Sequence, residues 1–350
     1  MWSVLKSGGR CFWRETFSTL ILRWKPTMPD RSERAVSFSF FRRTAGRRFQ
    51  RWRPWLTRAA TVVILGAFGY WSWRNWDVIR QVTTGLDAAV LAEVASLMMG
   101  GVFLFAFAFT LLVRSFGYRL EYRDGYHILN LAQIAAMIPG RVWGLAGLMG
   151  LLWAKGISRR DSVLVIFLHT LFILSAAVVV GGTGLALTVG WGYTLLGLGP
   201  VLVLLLGYTR WEALRGRYFA GSTSLPSPGR IVVILATEGI GWGVLGAAFA
   251  LFVRAVTGGW AVSPWLAMGT FPAGYVGGYL SLLTPSGLGV REGIIALILG
   301  PALGSEKALA LAIVFRVLHM AVLWFNVVVT LLALSRRQSL LNEGETSLDA

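Results

Sequence analysis

Hydrophobic positions along this chain gather into eight segments: 55–73, 94–113, 128–154, 162–180, 193–208, 231–253, 265–303 and 309–334. Most approach the ~20 apolar residues that carry a helix across a bilayer. Two are interrupted. The third is cut by Pro139, Gly140 and Arg141, and the seventh contains the string TPSGLGVREG, Thr284 to Gly293. A proline, three glycines and an Arg-Glu pair in ten residues end any ordinary membrane helix.

Loop charges test how the segments thread. If the two interrupted regions enter and return on one face, Arg114, Arg119, Arg123, Lys155, Arg159, Arg160, Arg210, Arg215, Arg217, Arg230, Arg336 and Arg337 all fall on the cytoplasmic side. The other face keeps Arg74, Arg80, Arg254 and Lys307, offset by Asp77, Asp87, Glu93 and Glu306. That distribution obeys the positive-inside rule, whereas full crossings by both regions place the basic loop 155–161 outside. The pattern therefore predicts an all-α integral membrane protein with about six transmembrane helices and two opposed re-entrant helical hairpins. IPGRVWGLAGLMGLL aligns with TPSGLGVREGIIALI, Pro139 over Pro285 and Gly147 over Gly293. With the threading, this predicts an inverted repeat of halves 55–190 and 191–334, flanked by a basic cytoplasmic tail, 1–54, and a short polar tail, 335–350.

Composition agrees. The chain is 55% hydrophobic and 14% charged, against about 25% charged in soluble domains, and its mean hydropathy is +0.64. Its net charge is +17, and residues 1–58 hold 14 basic against 3 acidic side chains. Arginine interleaved with aromatics in FRRTAGRRFQRWRPW is a pattern nucleic-acid binders use. Beside a membrane span its expected partner is the anionic lipid surface, and no nucleic acid. No apolar core follows the early basic residues, so no signal peptide is expected, and Met28 is an alternative start. Cys11 is the single cysteine, and His127, His169 and His319 have no ligand-like spacing. No metal and no cofactor are expected. No Walker A string, G-x-S-x-G elbow or H-E-x-x-H helix is present, so the chain is not expected to be an enzyme or an ATP-driven pump.

The chemistry concentrates at the breaks. Non-helical backbone is tolerated at membrane depth only when protein buries it or it lines a watery cavity. Pro285, Ser286, Gly287 and Gly289 stop one half-helix, with positive φ available at the glycines. The next half-helix is predicted to begin near Val290, its N-terminus an anion site reinforced by Arg291. Glu292 can pair with Arg291 or carry a proton. Pro139, Gly140 and Arg141 repeat that chemistry in the first half. Arg316 and His169 stand at nearly matching repeat positions, and Glu238 lies within the sixth segment. Ionisable groups at that depth are functional candidates by default. Blander roles stand beside these: a structural Arg291–Glu292 pair, mutual neutralisation of Glu238 and Arg316, an interhelical hydrogen bond for His169, and close packing for the many glycines.

IPGRVWG, KGISRRDSVLVIFLH, TPSGLGVREG and AIVFRVLH together resemble the lysylphosphatidylglycerol synthase transmembrane family, the flippase-like membrane domain of bacterial multiple peptide resistance factors and of stand-alone proteins. Ser286 departs from that family's usual glycine, and His169 from its usual acidic or polar residue. The resemblance implies movement of a lipid between leaflets; the expected setting is the bacterial cytoplasmic membrane, and the threading puts both chain ends on its cytoplasmic side. The cargo expected from it is an anionic phospholipid or a polyprenyl-phosphate-linked lipid. Substrate-binding candidates are Arg141, Arg291, Glu292, Arg316, Pro139, Gly140, Pro285, Ser286, Gly287 and Gly289, with Glu238, Glu292 and His169 as proton-coupling candidates. About 16 residues follow the last span, so lysyl-lipid synthesis is not expected. The alternative is a non-catalytic accessory protein for a glycosyltransferase or lipid-modifying enzyme. Expected protein partners are a second copy of the chain or such a glycosyltransferase.

Overall fold

A backbone surrounded by hydrocarbon must satisfy its N–H and C=O groups within itself. In this computed structural model every regular element among the described residues is helical, and no strand occurs among them. The structure describes residues 66, 69, 70, 73–84, 86–136, 142–190, 192, 226–281 and 287–348. Among these residues nine helices follow in order: α1 Trp76–Thr84, α2 Ala88–Ser115, α3 Tyr122–Ala136, α4 Val142–Ala154, α5 Arg159–Ala186, α6 Pro228–Thr257, α7 Pro264–Leu280, α8 Val290–Leu303 and α9 Ser305–Leu348. The segments predicted at 55–73 (in large part) and 193–208 lie outside the described residues, as do Pro139, Gly140, Arg141, Pro285 and Ser286.

Local chemistry sets the helix ends. The Asp87 carboxylate accepts from the Val90 N–H at 2.7 Å to cap α2, and Ser158 Oγ accepts from the Asp161 N–H at 3.1 Å to cap α5. Pro228 and Pro264 open α6 and α7 where a missing N–H costs nothing. Among the described residues four helices are long and apolar enough to cross a membrane: α2, α5, α6 and the 305–335 part of α9. The interrupted segments become pairs of short helices instead. α3, α4, α7 and α8 have 15, 13, 17 and 14 residues, or roughly 20–26 Å each against a hydrocarbon core of about 30 Å.

Each short pair doubles back. Asp124 in the first turn of α3 holds Lys155, just past α4, at 2.6 Å, and Gly147 faces Ala135. On α7, Gly274 faces Ile295 and Gly278 faces Arg291, so α8 runs antiparallel to it. Long, short, short, long thus occurs twice: helix starts at 88, 122, 142 and 159 recur at 228, 264, 290 and 305. The principal pairings are closed under exchange of the two sets. The α5–α7 contact is matched by α9–α3, α8–α9 by α4–α5, and α6–α5 by α2–α9, while α2–α6 maps onto itself.

Two parts of the chain differ from expectation. α1 falls in what reads as a loop, because nine mixed residues make no span; its amphipathic pattern buries Val82 in the core and leaves Trp76 exposed. The C-terminal tail continues as helix to Leu348 instead of ending near residue 334.

Two seams join the sets by different means. Between α5 and α7, Gly181 and Gly184 press against Gly269, and a Cβ on Gly184 would lie 2.6 Å from the Trp265 carbonyl oxygen. Between α3 and α9 the contact is polar and buried. The Tyr126 hydroxyl donates to Asn326 Oδ1, Asn130 Nδ2 donates to Thr330 Oγ1 at 3.4 Å, and His127 Nδ1 meets the same hydroxyl at 3.2 Å.

Candidate functional site

Gly287 and Gly289 adopt φ of 69° and 84°, the left-handed region that glycine enters without penalty. Gly287 also lies against the Gly278 backbone, where any Cβ would collide. These two residues turn the chain so that α8 starts at Val290, as its sequence predicts. Gly274 and Gly278, one turn apart on α7, leave room for the first turn of α8, which carries Arg291 into the bundle.

Arg291 is 7% exposed. Its guanidinium lies 4.1 Å over the Phe271 ring and 5.6 Å from Tyr275, a cation–π arrangement that lowers the cost of burying charge. Nη2 finds no hydrogen-bond partner among the described residues. The adjacent Glu292 forms no ion pair with it among the described residues, because consecutive helical residues do not face each other. Glu292 instead closes an ion pair with Arg316 on α9, and its second oxygen accepts from the Gly289 N–H at 2.7 Å. That bond takes one of the free N–H groups at the start of α8. Two guanidiniums and one carboxylate therefore meet, and the positive excess rests on Arg291.

Glu238 does not neutralise Arg316 either. It is fully buried on α6 and faces His169 on α5, with Oε1 and Nδ1 3.4 Å apart. Neither Nδ1 nor the carboxylate completes a hydrogen bond among the described residues, and Phe109 meets the imidazole edge to face, centroids 5.2 Å apart. His169, Glu238 and Arg316 each lie about ten residues into their helices, roughly 15 Å of rise, close to half of a hydrocarbon core. The two centres share an aromatic wall. Trp242, one turn beyond Glu238, packs tilted against Tyr275, ring centroids 4.6 Å apart, and donates its indole N–H to the Ile173 carbonyl at 2.8 Å.

The model of the lysylphosphatidylglycerol synthase TM region matches residues 43–329. The chain belongs to that family. No curated protein matches it. As a lysylphosphatidylglycerol synthase transmembrane domain it is a membrane protein with several apolar helices, related to domains with lipid flippase function.

Of the residues expected to form the site of this family domain, the structure brings Gly287, Gly289, Arg291, Glu292 and Arg316 together and sets His169 and Glu238 apart as a second centre. Phe271, Tyr275 and Trp242 escape sequence reading because aromatics on an apolar helix read as core. The signal available was the i, i+4 spacing of Phe271 and Tyr275 on the helix preceding the break.

Proposed function

We infer that this chain carries an anionic lipid, a phospholipid or a polyprenyl-phosphate-linked lipid, between leaflets by binding its headgroup phosphate at Arg291. One observation carries the reading: among the described residues, a guanidinium buried at the first turn of α8 has no carboxylate paired with it and keeps Nη2 unpartnered. An uncompensated ion in a low-dielectric interior is expensive, and a phosphate oxygen is the acceptor best matched to an arginine. The acyl chains stay in the bilayer, so the protein has only to shelter the polar part. Arg141, at the equivalent break, is the proposed second contact.

The architecture proposed with this function is six spans and two opposed re-entrant hairpins in an inverted repeat. It draws support from short helix pairs that double back and from pairings closed under exchange of the halves. Rocking one repeat against the other would present the site to each leaflet in turn. The proposed setting is a bacterial cytoplasmic membrane with both termini inside and the basic N-terminal segment on anionic lipid. No covalent chemistry is assigned to the chain. The drive is the lipid gradient or a coupled proton, with Glu238 and His169 as the carriers; Glu292, engaged by Arg316 and Gly289, serves as a structural group in this reading.

The test is lipid movement by Arg291→Gln in liposomes, with fluorescent phosphatidylglycerol and an impermeant quencher. Gln keeps most of the volume and loses the charge, so transport should fall to the protein-free rate while unfolding and oligomeric state stay parental. Movement at the parental rate would refute the phosphate-binding role. It would leave the accessory reading, which the Glu292–Arg316 ion pair favours and in which a glycosyltransferase or a second copy is the partner.

A further inference from the structure

His319 lies one turn beyond Arg316 on α9, so both side chains leave the helix on the same face. Its imidazole meets the Phe271 ring edge-on, centroids 5.7 Å apart, and the Arg291 guanidinium lies over that same ring. Arg291 and Arg316 are both close enough to act on the imidazole electrostatically. The residue is partly accessible, and no hydrogen bond joins its ring to any described residue. At this depth a ring nitrogen without a partner is costly. Two donors without a partner among the described residues, Arg291 Nη2 and the His319 N–H, thus border one aromatic ring.

We propose that His319 is a second ligand of the headgroup phosphate, donating to one oxygen while Arg291 Nη2 donates to another. The proposal rests on the reading of Arg291 as the headgroup site. A phosphate presents several acceptor oxygens, and one donor holds it without fixing its orientation. Arg316 is not available for that task, since Glu292 anchors it. Neutral imidazole always has one N–H to give, and its other nitrogen accepts. The competing role is structural, with the ring serving only to pack against Phe271.

Two substitutions separate the roles. His319→Gln keeps a donor and loses the aromatic edge, whereas His319→Phe keeps the edge and loses the donor. The measurement is phosphatidylglycerol retained by the detergent-purified full chain, titrated and counted by native mass spectrometry, with thermal unfolding in parallel. The expected result is affinity within about threefold of parental for the Gln variant and weaker by about tenfold or more for the Phe variant, at unchanged unfolding temperature. Excess inorganic phosphate should not displace the lipid; displacement would make the ligand a free anion and overturn the lipid assignment. Parental affinity in His319→Phe would overturn the role of His319 and leave Arg291 untouched. Failure of the parental chain to retain phosphatidylglycerol would overturn the proposal outright. Because retention needs no transport, a chain that binds through His319 but moves no lipid would sink the flippase reading alone.

Discussion

A single pair of neighbours shows how much a residue's partner depends on the fold. Arg291 and Glu292 are adjacent and opposite in charge, yet each faces a different element: Arg291 the Phe271 ring, Glu292 the Arg316 guanidinium. Glu292→Gln therefore removes half of a buried ion pair and the acceptor for the Gly289 N–H. The expected loss is about 3–5 kcal/mol, seen as a lower unfolding midpoint in detergent, and it should exceed that of Arg291→Gln, which leaves no partner orphaned. Gly287→Ala forces a Cβ into the Gly278 backbone at positive φ. It should cost about 1–3 kcal/mol and shift the α8 start, which a spin-label distance from α7 to α8 would register. The turn glycines were readable because few residue types tolerate such backbone. The carboxylate's partner was not, since Arg316 lies a helix away and only the packing of α8 on α9 brings it in.

Among the helices, the long ones were legible because nothing else explains twenty apolar residues in a row. The interruptions were legible because proline and glycine halt a helix wherever it lies. α1 was not, since nine mixed residues carry little periodic signal and its place depends on the surface of α9 and α6. The two seams between helix sets were also invisible, because glycines and polar residues are scattered through every span. Their difference is testable. Gly184→Ala places a methyl against the Trp265 carbonyl and Gly269, and should destabilise by about 1–3 kcal/mol. Gly243→Ala on α6 meets nothing within 4 Å and should be neutral or stabilising by up to about 1 kcal/mol. Equal unfolding temperatures for the two variants would contradict the α5–α7 packing. A hydrogen-bonded α3–α9 contact is directional and a glycine contact is not, so α7 with α8 is the pair better able to slide.

For the whole molecule, Arg114, Arg123, Lys155, Arg159 and Arg230 come to one end of the bundle, because α2 ends there, α3 to α4 returns there, and α5 and α6 start there. Trp242 and Glu238 meet Ile173 and His169 in the same order, so α5 and α6 run the same way. A cysteine at Lys155 should react with an impermeant thiol reagent only from the cytoplasmic side; labelling from outside alone would invert the proposed orientation. The charge left over at Arg291 has a further consequence, because it lies within an electric field. Moving one elementary charge through 100 mV changes its energy by about 2.3 kcal/mol. In the proposed carrier, a bound phosphate leaves the site neutral, so that its travel would be indifferent to the membrane potential. Empty, the same site would carry one positive charge, and the potential would then bias which leaflet it faces. On that account a cell's voltage would govern the return stroke while leaving the loaded one alone.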